Sequence, residues 1–270
     1  HKREEWLRQH PNVDVYISGE GEEPRTNLLD DWYESRDSGH AVNAGGSGVH
    51  ALRDGRFVES DDVRPRVSDL DRVPSPYLEG YLDEFLKEVP LTPLLETNRG
   101  CPYGCSFCEW GGAEVSKVRR FSDDRLRAEL DWISRNEFAY MAVADANFGI
   151  FAERDLEIAG WLAERCRRTG FPRYLGANGA KNKDERVLDI ADALGAGGIT
   201  TTVNLALQST HPATLDAIKR RNISGENMER LKRGFQERDL PTYSELILGL
   251  PLENLESFAK GLDRTLTPRL

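Results

Sequence analysis

Strand-like and helix-like segments alternate from Leu94 onward, and this alternation constrains the fold more than any other feature of the chain. The segments between the apolar runs place apolar residues three and four positions apart, as amphipathic helices do. Strand, helix and strand repeated at this spacing give parallel strands joined by crossover connections. The sequence therefore predicts an α/β fold in which a parallel sheet forms a partial (β/α) barrel. The predicted strands are 93–97, 140–145, 173–178, 201–208 and 243–248.

The predicted helices of this region have clear end signals. Ser122 is placed to cap the first helix, and Phe121 and Leu126 are spaced as a hydrophobic staple around it. Pro212 stands at a first helical position, where its missing N–H costs nothing. These signals give five strand–helix units, and we expect the sixth strand of a barrel to be missing or to lie beyond Leu270. The other helices are predicted at 153–168, 183–194, 212–220 and 226–238.

Three of the four cysteines stand within eight residues, directly after the first predicted strand. Cys101, Cys105 and Cys108 form a C-x3-C-x2-C run. Thiolates bind soft metal centres, and three protein ligands leave one coordination position open. A structural zinc site normally needs a fourth Cys or His, and no histidine lies between His50 and His211. The run therefore favours a 4Fe–4S cluster with one open iron, and the alternatives are a zinc knuckle and a chance clustering of cysteines.

The fourth cysteine has a different setting. Cys166 belongs to a helical apolar face together with Ile158, Trp161 and Leu162. Unpaired cysteines on such faces usually behave as small hydrophobic side chains. We predict that Cys166 is buried and is not a metal ligand.

The cysteine run, with Phe107 just before its last member, resembles the cluster motif of the radical S-adenosylmethionine (SAM) superfamily. The resemblance implies that Cys101, Cys105 and Cys108 hold a 4Fe–4S cluster, that SAM binds the fourth iron and that Phe107 lies over the adenine. It also implies a reduced cluster that cleaves SAM to methionine and a 5′-deoxyadenosyl radical, which abstracts a hydrogen atom. The predicted fold is then the partial parallel barrel of this superfamily.

Reacting groups of parallel barrels gather where the strands end. Gly111 and Gly112 follow the cysteines and would let the backbone approach the cluster closely. Asp145 and Asn147 follow the second predicted strand and are expected to hold the SAM amino group or the substrate, with helix capping as the alternative. Asn178 ends the third strand. We predict that all five contact a cofactor.

The end of the fourth predicted strand resembles a Gln-Ser…Leu-x-x-Ile-x-Arg segment of the coproporphyrinogen oxidase and methylthiotransferase branches. The matching residues are Gln208, Ser209 and Arg220. The resemblance implies that Gln208 and Ser209 contact the ribose region and that Arg220 holds the SAM carboxylate. Arg221 is adjacent, so the assignment of the arginine is open by one position.

The fifth predicted strand carries one further match. Ile247 corresponds to the apolar residue that packs on adenine in the family. The sequence departs from the pattern shortly afterwards, because Leu252 stands where many relatives have glycine. The turn at Leu252 is therefore in question.

The first 92 residues predict two further segments. A strand at 13–18, the turn Gly19-Glu20-Gly21-Glu22 and a helix follow one another, as at the carboxyl edge of an open α/β sheet. The strand and turn resemble the last strand and Gly-Glu-Gly-Glu turn of the Rossmann-like cobalamin-binding domain that precedes some radical SAM barrels, with an ordinary acidic turn as the alternative. One strand cannot form a sheet, so its neighbours are expected upstream of His1 or in a partner chain. The Asp-x-His-x-x-Gly signature of cobalamin binding is absent from this sequence.

These observations predict three regions along the chain. Residues 1–38 are the C-terminal remnant of a cobalamin-binding domain, 39–92 are a linker with a small hairpin at Asp54-Gly55, and 93–270 are the barrel. The chain begins without a methionine, in what looks like the middle of a helix. We therefore expect a fragment of a longer protein.

Composition limits the class of partner. A net charge of −10 and a pI near 5.2 argue against a nucleic-acid surface, which needs clustered Lys and Arg. The sequence has no apolar run long enough to span a membrane and no signal peptide, so we expect a cytoplasmic protein.

The leading hypothesis is a cobalamin-dependent radical SAM enzyme that methylates carbon of a small molecule or peptide. It implies a 4Fe–4S cluster, SAM, cobalamin and an electron donor such as flavodoxin or ferredoxin. One alternative is a radical SAM enzyme without cobalamin, such as a methylthiotransferase. Another is a non-enzymatic iron–sulfur or zinc module.

Overall fold

The protein is described by a computed structural model that covers residues 2–38, 48–59, 66–108, 110, 117–179, 184–204 and 206–266. The chain forms two compact units, His1–Val73 and Pro74–Leu270. The second unit therefore starts earlier than the predicted barrel boundary at residue 93. The reason is that Tyr77 packs on this unit: its hydroxyl donates to the Leu94 carbonyl at 2.7 Å and accepts from the Leu94 amide at 2.8 Å.

The first unit contains a three-stranded antiparallel sheet in the order β1-β2-β3. Asp54 and Gly55 both have positive φ angles, 47° and 74°, as a two-residue hairpin turn requires. The predicted hairpin is therefore present. The expectation that β1 takes its neighbours from outside the chain is wrong for one edge, because β2 pairs with it. The elements are α1 (Lys2–Gln9), β1 (Val15–Ile17), α2 (Glu22–Ser38), β2 (Val49–Arg53) and β3 (Arg56–Val58).

Polar contacts hold the turn that follows β1. The Ser18 hydroxyl and the buried His50 Nε2 are hydrogen-bonded at 2.9 Å. The Glu20 carboxylate accepts a hydrogen bond of 2.7 Å from the amide of Val67. The Gly-Glu-Gly-Glu turn is therefore fixed by contacts within the first unit, at both the strand and the segment that ends the unit.

The second unit is built on a five-stranded parallel sheet in the order β10-β9-β8-β7-β4, with a separate antiparallel pair formed by β5 and β6. Helices connect the parallel strands, as the alternation predicted. The strands are β4 (Leu94–Leu95), β5 (Asn98–Arg99), β6 (Arg119–Arg120), β7 (Tyr140–Phe148), β8 (Tyr174–Gly179), β9 (Thr200–Asn204) and β10 (Thr242–Tyr243). The helices are α3 (Asp123–Arg135), α4 (Ala152–Thr169), α5 (Asp184–Ala196), α6 (Pro212–Ala217), α7 (Gly225–Gln236) and α8 (Leu255–Leu266).

The helix signals read from the sequence are present in the second unit. The Ser122 hydroxyl accepts a hydrogen bond of 3.2 Å from the Arg125 amide and caps α3. Leu126 and Leu130 of α3 have no exposed surface. Cys166 of α4 is 7% exposed, which confirms the prediction that it is a buried side chain.

Several strand predictions were inaccurate at the carboxyl edge of the sheet. β4 ends at Leu95 rather than at residue 97, and β10 ends at Tyr243 rather than at residue 248. β7 continues to Phe148, whereas the prediction ended it at Asp145. β9 ends at Asn204 rather than at Gln208, which has a φ of 66° and pairs with Leu246 as an isolated parallel bridge. Within the described ranges, no helix is both long and apolar enough to cross a membrane.

Candidate active site

A cavity of about 280 Å³ lies where the parallel strands of the second unit end. The three cysteines of the C-x3-C-x2-C run line it on one side. The rest of the wall comes from the last residues of β7, β8 and β9, from the segments that follow β9 and β10, and from residues of α5 and α7. The cavity thus lies at the carboxyl ends of the parallel strands, where a site was expected. The lining residues used below are Cys101, Tyr103, Cys105, Phe107, Cys108, Trp110, Ala146, Asn178, Asn204, Ala206, Gln208, Arg220, Arg221, Asn222 and Glu245.

The segment that carries the cysteines is held at two points. At its start, the Asp145 carboxylate accepts hydrogen bonds from the amides of Thr97 and Asn98, at 2.7 and 3.1 Å. Within it, the Ser106 amide donates to the Ile218 carbonyl at 3.1 Å. The cysteines are therefore placed by β7 on one side and by the end of α6 on the other.

Asp145 supports the cysteine segment and does not line the cavity. Besides the two amides, the Thr97 hydroxyl and the Asn98 side-chain amide donate to its carboxylate. Burial raises the pKa of Asp145 from 3.8 to about 6, and the hydrogen bonds from Thr97 and Asn98 oppose the rise. Asp145 was predicted to contact a cofactor. In the structure its carboxylate oxygens accept hydrogen bonds from Thr97 and Asn98 instead.

Asn147 contacts a predicted cluster ligand from the buried side. Its Nδ2 donates a hydrogen bond of 3.3 Å to the Cys101 Sγ. It is 2% exposed, and its Oδ1 is buried without a hydrogen-bond partner. Neither Asn147 nor Asp145 caps α4: the N-cap residue is Phe151, and no side chain makes a capping hydrogen bond there. The Asp155 carboxylate instead accepts hydrogen bonds from the amides of Gly149 and Phe151, which precede the helix. The capping alternative is therefore wrong.

Arg220 is buried at the cavity, whereas Arg221 is exposed. Nε of Arg220 donates to Asn222 Oδ1 at 2.9 Å and Nη2 donates to the Ala206 carbonyl, but Nη1 is buried without a hydrogen-bond partner. Burial lowers the pKa of Arg220 from its ordinary value, and the nearby Cys105 thiol opposes this. A buried guanidinium with a free donor is suited to bind a carboxylate. Of the two arginines, Arg220 has this geometry.

Other predicted residues divide between the cavity and its surroundings. Phe107, Asn178 and Gln208 line the cavity. Ser209 lies outside the lining, because its hydroxyl donates to the Glu253 carboxylate at 2.6 Å. Ile247 also lies outside it and uses its amide to bond the Gln208 carbonyl at 2.8 Å. Gly111 and Gly112 fall outside the described residues.

Several lining residues were missed in the sequence, among them Tyr103, Trp110, Asn204 and Glu245. Tyr103 and Trp110 lie in or beside the cysteine run, so their nearness to it was a usable signal. Asn204 was hidden because the predicted strand continued past it, and its Oδ1 is buried without a partner. Glu245 was placed within a predicted strand, but β10 ends earlier and Glu245 reaches the cavity.

The donors present fit a three-cysteine cluster and a carboxylate-bearing cofactor. Cys101, Cys105 and Cys108 form no disulfide within the described residues, and the buried Nη1 of Arg220 at the same cavity lacks a hydrogen-bond partner. Among the described residues, no three His, Cys, Asp or Glu side chains are grouped so as to hold one metal ion. In a cluster each thiolate binds its own iron, so the sulfurs need not converge on one ion.

The chain is similar over most of its length to two bacterial methyltransferases. It is 40% identical over 265 residues to the cobalamin-dependent radical SAM methyltransferase TokK of Streptomyces tokunonensis, covering 95% of this chain and 38% of that protein. It is 38% identical over 263 residues to the 2-(S-pantetheinyl)-carbapenam-3-carboxylate methyltransferase of Streptantibioticus cattleyicolor, covering 96% of this chain and 38% of that protein. The chain thus spans well under half the length of these curated relatives.

The fold is also similar to a solved structure. The radical SAM methyltransferase TsrM of Kitasatospora setae, with tryptophan and a SAM analogue bound, matches 96% of this chain and 50% of its own, with a TM-score of 0.65 and 18% identity. This similarity supports the partial parallel barrel. Residues 95–264 match the family described as the Radical SAM superfamily. The chain therefore belongs to the radical SAM superfamily.

Proposed function

We propose that this chain is part of an enzyme that transfers a methyl group to a carbon atom of a small molecule, with a 4Fe–4S cluster, SAM and cobalamin as cofactors. The similarity to the two methyltransferases carries the proposal. It covers 95% and 96% of the chain, so it includes most of the first unit as well as the barrel. A similarity limited to the barrel would favour only the superfamily.

We assign the cofactor contacts to residues of the cavity. Cys101, Cys105 and Cys108 bind the cluster, and Arg220 binds the SAM carboxylate through Nη1. Phe107 packs on the adenine. The remaining cofactor contacts are assigned to Asn178 and Gln208 of the cavity. By the resemblance alone, Gly111 and Gly112, which lie outside the described residues, are assigned to the cluster.

The cofactors supply one-electron chemistry and a methyl donor, while the protein binds and orients them and keeps water out. The structure supports a rigid arrangement for this purpose. The Ser106 amide bonds the Ile218 carbonyl, two residues before Arg220. Because the cysteine segment and the arginine are linked in this way, the thiolates and the guanidinium keep a fixed separation.

Cobalamin is the part of the proposal that rests on similarity alone. The first unit resembles the end of a cobalamin-binding domain through its strand and Gly-Glu-Gly-Glu turn. We assign no residue of this chain to cobalamin. A low-potential one-electron donor, such as a flavodoxin or a ferredoxin, is the partner that this chemistry requires.

The substrate class that we propose is a carbapenam carrying a thioether arm. One relative is named for its action on 2-(S-pantetheinyl)-carbapenam-3-carboxylate. Arg221 and Asn204 at the cavity are available as donors to a carboxylate or amide of such a molecule. The match to this relative extends over 96% of the chain, which makes the compound the first substrate to test.

The test uses the intact protein that contains this chain, reconstituted without oxygen. We expect about four irons per chain, bound cobalamin and, with dithionite and SAM labelled in its methyl group, labelled product from the carbapenam. Cys101→Ala should lose the cluster and the product. Cys166→Ala, which changes a buried cysteine outside the cavity lining, should keep both.

Three results would contradict the proposal in different ways. Zinc bound at the cysteines instead of iron would refute the proposal that this chain cleaves SAM with a 4Fe–4S cluster. Deoxyadenosine formed without any cobalamin retained would favour a radical SAM enzyme of another kind. Methylation of other molecules but never of the carbapenam would remove only the substrate class.

A further inference from the structure

Asn147 is positioned to affect the cluster without touching the cavity. Its Nδ2 lies 3.3 Å from the Cys101 Sγ, and the two side chains are 2% and 6% exposed. The residue before it, Ala146, lines the cavity. Asn147 therefore approaches the sulfur from the protein interior, where water does not compete for the bond.

The rest of the geometry keeps the amide in this position. Asn147 belongs to β7, and its carbonyl accepts a hydrogen bond of 3.2 Å from the Ile150 amide in the turn that follows. A side-chain amide can turn either its nitrogen or its oxygen toward a neighbour. A thiolate bound to iron can only accept, so only the N–H orientation is favourable once a cluster is present.

We propose that Asn147 is a positioning residue that donates a hydrogen bond to the Cys101 thiolate and thereby raises the reduction potential of the cluster. This inference rests on the proposed function, because it assumes that Cys101 is a cluster ligand. Reduction adds one electron to the cluster and increases the negative charge on its sulfurs. An N–H donor to sulfur is stronger for that more negative state, so it stabilises the reduced cluster over the oxidised one.

Asn98 provides a matched comparison. It is also a buried amide, 3% exposed, beside the same segment, but its Nδ2 donates to Asp145 at 2.6 Å and to the Thr97 hydroxyl at 3.2 Å. Asn98→Leu therefore loosens the start of the cysteine segment without removing this donor to Cys101. Asn147→Leu removes that donor and keeps a side chain of similar size.

The experiment is a redox titration of the cluster in the reconstituted holoenzyme, followed by EPR of the reduced state, together with iron analysis. For Asn147→Leu we expect the equilibrium constant for reduction to fall about tenfold, which is about 59 mV toward more negative potential for a one-electron couple. Asn98→Leu should show a clearly smaller shift. An unchanged potential in Asn147→Leu, or an equal shift in both variants, would overturn the inference.

A second measurement decides the case if Asn147→Leu does not fold or load iron. Wild-type protein is prepared with asparagine labelled with ¹⁵N in its side-chain amide, and the reduced cluster is examined by ENDOR. We expect a ¹⁵N coupling, and its absence refutes the hydrogen bond. Failure of the wild-type protein to bind a cluster would instead refute the proposed function, and this inference with it.

Discussion

Asp145 supports the cysteine segment, and it allows a test of whether burial or hydrogen bonding has the larger effect on the pKa of its carboxyl group. The residue is 1% exposed and accepts from the amides of Thr97 and Asn98, among other donors. Burial disfavours the carboxylate, whereas N–H donors favour it. The structure indicates that burial is the stronger effect, since the pKa of Asp145 is raised from 3.8 to about 6.

The sign of the pH dependence follows from this shift. Between about pH 4 and pH 6 the folded protein holds a proton on Asp145 that the unfolded chain has released, so raising the pH through this window lowers stability. The rise to about 6 corresponds to roughly 3 kcal/mol. Asp145→Asn cannot ionise. Wild type should therefore lose roughly 3 kcal/mol relative to this variant over the window, with little further change above it.

The assay is urea unfolding of reduced apoprotein of wild type and Asp145→Asn at several pH values from about 3 to about 7. Other titrating groups are common to both proteins and cancel in the difference. Asp192→Asn is the control of opposite sign, because the hydrogen bond from Arg238 lowers the pKa of Asp192. The free energy of unfolding of wild type should increase relative to that of Asp192→Asn as the pH rises toward and past 3.8, the ordinary pKa of an aspartate.

The reasoning is refuted if wild type becomes more stable relative to Asp145→Asn as the pH rises. That result would mean that the hydrogen-bond donors outweigh burial and that the pKa of Asp145 lies below 3.8. A flat difference would mean that the two effects balance. In either case Asp145 would be largely ionised between about pH 4 and about pH 6, where a pKa of about 6 leaves it largely protonated.

Three other substitutions test separate parts of the structure. Arg220→Met should weaken SAM binding by about 1.5–3 kcal/mol, which is about tenfold to a hundredfold in the Kd measured by calorimetry, and should leave the iron content unchanged. A larger loss of affinity in Arg221→Met would refute the assignment of Arg220 to the SAM carboxylate. Gly197→Ala should destabilise by about 1–3 kcal/mol in thermal unfolding, because the new Cβ would lie 2.4 Å from the Ala163 Cα; an unchanged Tm would contradict this close contact. Leu252→Gly should stabilise by about 0.5–1 kcal/mol in urea unfolding, because Leu252 has a φ of 62° and an exposed side chain, and lower stability would show that its side chain matters more than its backbone.

Local signals were sufficient for the order of the five parallel strands and of the helices between them in the second unit, whereas β5, β6 and α8 were not predicted. Ser122, the apolar stripe of α3 and Pro212 mark helix ends through contacts with residues a few positions away, so the sequence contains both partners. The cysteine run was equally local. These features predicted the partial barrel and the side of the sheet that carries the site.

Contacts between distant segments could not be predicted in this way. Ser209 looked like a cofactor residue, but its hydroxyl bonds Glu253, which is 44 positions later. Arg220 and Arg221 are chemically identical in the sequence, and only burial distinguishes them. At Leu252, by contrast, the sequence did indicate the backbone conformation. Many relatives have glycine at this position, and the φ of 62° at Leu252 is one that glycine adopts more easily.

The positions of Asp145 and Asn147 follow from the length of β7. The prediction ended the strand at Asp145, which placed Asp145 and Asn147 at the carboxyl end of the strand, where residues of a parallel barrel contact a cofactor. The strand instead continues to Phe148, and side chains that alternate along it place Asp145 and Asn147 on the buried side and Ala146 at the cavity. Buried polar groups need partners, and here the cysteine segment provides Thr97 and Asn98 for Asp145 and Cys101 for Asn147. The small residue leaves room in the cavity, while the polar residues behind it hold the segment that binds the cluster.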